Sequence, residues 1–233
     1  MTERCDIGII GAMEGEVASI ISRLENPASE LVGGIKFHVG DLLGKRVAVA
    51  KCGIGKVFAA MCAQTMILKY APSLIVNTGV GGALDKSLKP LDIVFATRLV
   101  QHDMDTSPLG DPKGLVSGIN RIYFDADRRA TELLSASAER LGVRYMLGTV
   151  ASGDKFIAER ADKERIARDF SASACEMEGA AVAQVAFVND TPFAVVRAIS
   201  DSADGDASMD YMSFLGRATE ISTALTLSLV ESY

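Results

Sequence analysis

The sequence predicts an α/β protein, a three-layer α/β/α sandwich around a central mixed β-sheet, and three observations predict it. Strand-like and helix-like segments alternate along nearly all of the 233 residues. The runs 6–12 and 74–78 are apolar enough to read as strands covered on both faces. Acidic residues stand where such runs end, at Glu16, Glu178 and Asp201. In an open α/β sheet, ligands sit outside the carboxyl ends of the strands. Three carboxylates gathered there suggest a pocket that handles protons and a positively charged transition state.

Each element has its own signal. Residues 6–12 read as a central strand, and 14–24 as a helix with Val17, Ile20, Ile21 and Leu24 on one side. Shorter strands follow at 35–40 and 46–51, separated by a turn around Gly44. The Ala- and Met-rich segment 55–70 reads as a long helix that Pro72 stops. Residues 74–78 form a buried strand running into Gly79-Val80-Gly81-Gly82, and 92–100 another strand. Residues 103–120 carry Gly, Pro and Asp and read as a long loop. Helices at 126–141, 158–169, 178–188 and 208–231 alternate with strands at 145–151, 173–177 and 193–200. No linker, repeat or composition break divides the chain, so residues 1–233 are expected to form one domain.

Bulk properties exclude several classes. The formal net charge is −6 and the basic residues are scattered, against the clustered basic face of a nucleic-acid binder. No stretch has the roughly 18 apolar residues of a membrane span, and the short N-terminal apolar run is no signal peptide. The four cysteines form no CxxC pair and lie in or beside apolar stretches, as buried free thiols do. A reducing, cytoplasmic setting is expected. His38 and His102 are the only histidines, so a histidine-based triad is poorly supplied, and no HxH or HExxH spacing offers a metal site.

The motifs are individually ambiguous. Gly8-Ile-Ile-Gly11 is not GxGxxG, and the acidic ribose binder of a dinucleotide fold is missing. Glu16 is then either a solvated turn residue or a carboxylate aimed into a pocket. The glycines of 79–82 allow backbone amides to approach a ligand, or simply make a turn; they lack the GK[ST] of a phosphate loop. Phe156 is either core or a stacking platform for a planar base. Glu176 and Glu178 flank Met177 in an apolar context, where carboxylates need partners. Asp201 ends a mainly apolar run as a helix cap or a site residue.

Taken together, Ile9–Glu16, Cys52–Lys56, Asn77–Gly82, Ser152-Gly153-Asp154 with Phe156-Ile157, Glu176-Met177-Glu178 and Arg197–Asp201 occur in the order of one family. The chain resembles the 5′-methylthioadenosine/S-adenosylhomocysteine nucleosidases, of nucleoside phosphorylase fold, over nearly its whole length. The resemblance implies hydrolysis of an N-glycosidic bond to adenine and a 5-substituted ribose, a homodimer and no cofactor. It implies Asp201 as general acid on the leaving base, Glu16 as the base that activates water, and Glu178 as partner of the ribose hydroxyls and the cationic sugar. Met177 is expected against the sugar, with Phe156 and the Ile157 backbone on adenine, and Glu176 and Gly81 among the binding residues. Arg197 and Ser200 are expected to position the catalytic water and Asp201. Met13, Ile54, Tyr211 and Phe214 are the matching positions for an apolar 5′ pocket, and Leu109 matches the residue lent by the partner subunit. Two positions depart from the family pattern. Leu109 stands where an aromatic is usual, and Val80 where a serine is common.

Rival readings remain at this level. A phosphorylase of the same fold would need cations for a phosphate dianion, but Asn77 and Thr78 precede Gly79 and Glu16 would repel phosphate. Hydrolases of futalosine or 5′-deoxyadenosine differ mainly in the 5′ pocket. A non-catalytic nucleoside binder would have no need of both Glu16 and Asp201.

Overall fold

The computed structural model describes residues 4–203 and 207–233, and of 207–212 the backbone alone. The elements run β1 (Ile7–Gly11), α1 (Glu14–Ile21), β2 (Glu25–Val32), β3 (Ile35–Leu42), β4 (Lys45–Lys51), α2 (Lys56–Tyr70) and β5 (Leu74–Ala83). They continue as β6 (Ile93–Gln101), β7 (Tyr123–Asp125), α3 (Arg128–Leu141), β8 (Tyr145–Ser152), α4 (Arg160–Phe170), β9 (Ala172–Glu176), α5 (Gly179–Val188), β10 (Phe193–Asp201) and α6 (Ala207–Ser232). The α/β class and the mixed sheet predicted from the sequence are both present.

Strand alternation sends side chains to two cores. Ile10, Ala48, Ala50 and Ile75 face a cluster that includes residues of α2 and α5. Their neighbours Ile9, Val47, Val49 and Val76 face the opposite cluster, with residues of α1, α3 and α6. Helices therefore cover both faces, which is why the central strands are apolar throughout.

The sheet is less open than the sequence suggested. It runs β2-β3-β4-β1-β5 in order, after which β5 pairs with both β10 and β9. Because β10, β6, β8 and β9 are also joined in that order, five strands return on themselves as a ring. The glycines are the reason. The predicted loop 79–82 is the second half of β5, which leaves β1 after Asn77 and meets β9 at Gly82 and Ala83. It also stays paired in parallel with β10, from Phe193↔Ile75 to Asp201↔Gly82, with one register shift between Ile199 and Asp201.

Other differences are local. Helix α1 stops at Ile21, and the unpredicted β2 follows. This strand has no buried residue and no apolar alternation, and it lies at the sheet edge, where Pro27 is tolerated. The unpredicted β7 has three residues. All four cysteines are free and buried. Among the described residues no helix is long and apolar enough to cross a membrane.

Candidate active site

The ends of β1, β5, β9 and β10 and the start of α1 surround one small cleft. Ala12, Met13, Glu16, Ile54, Val80 and Gly81 line one part, and Phe156, Ile157, Met177, Glu178, Ser200 and Asp201 another.

Glu16 sits in the first turn of α1 and is 3% exposed. Its Oε2 accepts the backbone N–H groups of Ala12 (2.7 Å) and Met13 (2.9 Å), reaching back to the helix cap. Its Oε1 accepts the Val80 N–H at 3.2 Å, from β5. Gly79 permits this approach, since a Cβ there would lie 2.5 Å from Oε1. Burial pushes the Glu16 carboxyl above its ordinary value, against the pull of the Met13 N–H and the Arg197 charge.

Asp201 ends β10 beside a bulge that follows Ile199. Its Oδ1 accepts from Ser200 Oγ (2.9 Å) and its Oδ2 from Lys163 Nζ (2.8 Å). Gly82 leaves the room, because a Cβ there would be 2.9 Å from Oδ2.

Glu178 immediately precedes α5, and its Oε1 accepts the Gly55 N–H at 2.8 Å. Gly55 has φ +100°, a conformation L side chains rarely adopt, and so turns its amide towards β9 and α5. Burial, then the neighbouring Glu176 charge, raises the Glu178 carboxyl to about 7.

Glu176 is differently placed. Its Oε2 accepts the N–H groups of Glu178 (3.0 Å) and Gly179 (2.7 Å) and the Arg197 guanidinium, and its Oε1 accepts from Ser152 Oγ. Burial alone would raise this carboxyl, but the Arg197 charge and these hydrogen bonds hold it below the ordinary range. Arg197 also donates to the backbone oxygens of Asn77 and Val196 and to Asn77 Oδ1, while Asn77 Nδ2 donates to Ile10 O. Glu176 thus touches the cleft with its acceptors already occupied. Arg197 lies beneath the cleft rather than on its wall, because β10 is covered on both sides and its charge is consumed by Glu176.

The remaining expectations divide. Phe156 is half-exposed at the cleft, and Ile157 is buried beside it. Phe214, partly buried on α6, is not among the lining residues. The Tyr211 side chain falls outside the described residues. Leu109, in the 3₁₀ turn Ser107–Leu109, is 84% exposed and does not line the cleft of its own chain. Neither histidine lines the cleft, and among the described residues no group of three or more His, Cys, Asp or Glu is arranged to hold a metal.

Sequence reasoning missed Ala12, Gly82, Lys155 and Cys175 in the wall, and Lys163 behind it. Burial pushes the Cys175 thiol up to about 12, so it is an inert packing group. Lys155 pairs with Asp162 at 2.6 Å. Lys163 had a legible signal. It shares the buried stripe of α4 with Ile166 and Phe170, at the three- and seven-residue spacings where an apolar residue is expected.

The chain matches the model of the phosphorylase superfamily over residues 6–231. A 5′-methylthioadenosine/S-adenosylhomocysteine nucleosidase of Shewanella sediminis is 38% identical over 226 residues, covering 97% of this chain and 98% of the relative. A nucleosidase of the same description from Neisseria meningitidis, solved in complex with methylthio-immucillin-A, superposes with a TM-score of 0.94 at 34% identity, covering 97% of this chain and 99% of that one. A futalosine hydrolase of Helicobacter pylori superposes with a TM-score of 0.93 at 34% identity, covering 100% of this chain and 99% of that one.

Proposed function

We propose that this chain, which belongs to the phosphorylase superfamily and within it to the 5′-methylthioadenosine/S-adenosylhomocysteine nucleosidases, hydrolyses the N-glycosidic bond of those two nucleosides to adenine and a 5-substituted ribose. One observation carries the reading. Three buried carboxylates, Glu16, Glu178 and Asp201, line one small, largely apolar cleft, while the nearby Arg197 charge is consumed beneath it. Such a cleft suits a leaving group that needs a proton, a sugar that becomes cationic and a water that must lose a proton.

Asp201 is the acid that protonates the five-membered ring of the departing base. Glu16, whose carboxylate is held by three backbone amides, accepts the proton of the attacking water. Glu178 accepts from the ribose hydroxyls and, as a carboxylate, stabilises the positive charge growing at the anomeric carbon. Phe156 stacks on adenine, the Ile157 backbone meets the base edge, and Met177 packs on the sugar. Met13 and Ile54 supply apolar wall towards the 5′ substituent.

Phosphorolysis is disfavoured by the same charges. Among the described lining residues Lys155 is the single cation, and it is paired with Asp162. A phosphate dianion would meet carboxylates instead of the guanidinium or ammonium groups it requires. Adenine release from 5′-methylthioadenosine, S-adenosylhomocysteine and 5′-deoxyadenosine, with and without phosphate, tests the reading. Release without phosphate is expected, and release only with phosphate would replace it with phosphorolysis. The futalosine hydrolase relative makes futalosine a fourth substrate to rank in the same assay.

A homodimer completes the proposal. Val57, Phe58, Met61 and Leu68 of α2 and Phe187 and Val188 of α5 are exposed apolar side chains, and α2 and α5 pack together. An apolar face of this kind fits a subunit interface. Across it Leu109 would reach the 5′ end of the partner's cleft. Sedimentation of the protein at micromolar concentration checks this, with a single monomeric species as the contrary result.

A further inference from the structure

We propose that Lys163 is a positioning residue for Asp201, holding its carboxyl group in place and supplying the counter-charge for the carboxylate left behind when it gives up its proton. The proposal rests on the reading of Asp201 as the general acid.

Lys163 projects from α4, outside the set of residues that line the cleft. Both it and Asp201 are almost wholly buried, with side-chain exposures of 2% and 3%. The ammonium has two acceptors, Asp201 Oδ2 at 2.8 Å and the Ser202 backbone oxygen at 2.7 Å. Both belong to the end of β10 and the residue just after it. Burying an ammonium is costly unless it is paired and hydrogen-bonded. The same place on the stripe, beside Ile166 and Phe170, would accept leucine or methionine at no such cost. What lysine offers there, and an apolar residue does not, is a charge and donors aimed at the strand end.

Two consequences follow from the geometry. Each Asp201 oxygen holds one donor, Ser200 Oγ on Oδ1 and Lys163 Nζ on Oδ2, so the carboxyl plane cannot turn freely. A fixed donor geometry is worth much in a proton transfer. Charge is the second consequence. In the step assigned to Asp201, its O–H bond breaks and an N–H bond forms on the base. The electrons of the glycosidic bond go to the base, and Asp201 ends as a carboxylate. Lys163 stays an ammonium throughout and faces that carboxylate at contact distance. An interaction that strengthens as the negative charge forms lowers the barrier rather than merely tightening binding.

The experiment is a double-mutant cycle with Lys163→Met and Asp201→Asn, reading kcat and KM for adenine release from 5′-methylthioadenosine and the thermal midpoint of each protein. Lys163→Met is expected to lower kcat by about tenfold to a hundredfold, with KM within about threefold. The double variant is expected to be no slower than Asp201→Asn alone, since the lysine has nothing left to serve. Asp201→Asn is expected to lower the midpoint by leaving a buried ammonium without its counter-charge, and adding Lys163→Met is expected to restore it. Lys163→Gln, which keeps a donor but no charge, should show the same kcat loss, and it replaces Lys163→Met if that protein does not fold. Wild-type kcat in either uncharged variant would overturn the proposal. So would a loss that multiplies in full onto that of Asp201→Asn, or a change in KM alone. A wild-type protein that releases no adenine would instead sink the nucleosidase reading, while the midpoints would still report whether the pair is coupled.

Discussion

The floor of the cleft and its walls are built from the same residue types and handle charge in opposite ways. In the floor, Glu176 and Arg197 neutralise each other, and Ser152, Asn77 and backbone amides take up their remaining hydrogen-bonding positions. In the walls, Glu16 and Glu178 are buried with backbone amides as their hydrogen-bond partners, and burial drives both carboxyls upward. Glu176 and Glu178 are two residues apart, yet one is held below the ordinary carboxylate range and the other reaches about 7. The difference is the guanidinium. Of these two, the carboxylate with a full set of partners is scaffold, whereas the one short of charge compensation is available to a substrate.

Breaking the walls should cost rate first, and stability only where Asp201→Asn strands the Lys163 charge. Asp201→Asn is expected to reduce kcat by about 10²- to 10⁴-fold, the usual worth of a general acid, because an amide cannot supply the proton. Glu16→Gln is expected to fall in the same range by failing to activate water. Steady-state assays of adenine release check both, and near-wild-type rates would remove the residue concerned from its role.

Breaking the floor should cost stability instead. Glu176→Ala leaves Arg197 buried without its counter-charge, a change expected to cost about 3–5 kcal/mol. Denaturant unfolding measures it, and a loss under about 1 kcal/mol would mean that Arg197 finds other compensation.

Glu178 sharpens the comparison through pH. Its folded-state value of about 7 lies above the ordinary 4.5, so the folded protein holds a proton that the unfolded chain has released between those values. Stability therefore falls as pH rises through that window, by up to about 3 kcal/mol. Glu178→Gln should flatten that part of the pH dependence of unfolding; an unchanged slope would place the titration elsewhere. The ionised form is the one that serves the cationic sugar, so kcat/KM should decline as pH drops below about 7.

The smallest effect is expected at Val80. Its backbone N–H, not its side chain, serves Glu16. Val80→Ser is therefore expected to keep the fold and alter kcat/KM by less than about tenfold, through the volume and polarity beside the attacking water. A larger change would show that the side chain takes part in placing that water.

Much of this division is legible in the residue order alone. Apolar runs of the right length mark β1, β5 and β10, and the acidic residues at their ends point to the cleft. Helix α2 is marked by its Ala-rich stretch and by Pro72. The strand β2 is not legible, because an exposed edge strand without alternation carries no burial signal. Lys163 is legible as a cation on the apolar stripe of its helix, but the carboxylate it serves, 38 residues away, is not.

By itself the sequence determined the α/β class, the order of nearly all elements and the family, because burial periodicity and a set of ordered motifs are local properties of the chain. Only the tertiary structure decided which carboxylates keep their partners and which do not. That depends on β5 bending at its glycines, so that Gly82 meets both β9 and β10. It depends equally on Arg197 and Lys163 arriving from elements 21 and 38 residues away from Glu176 and Asp201. Charge compensation in a low-dielectric interior is set by such neighbours in space, and separation along the chain says little about them.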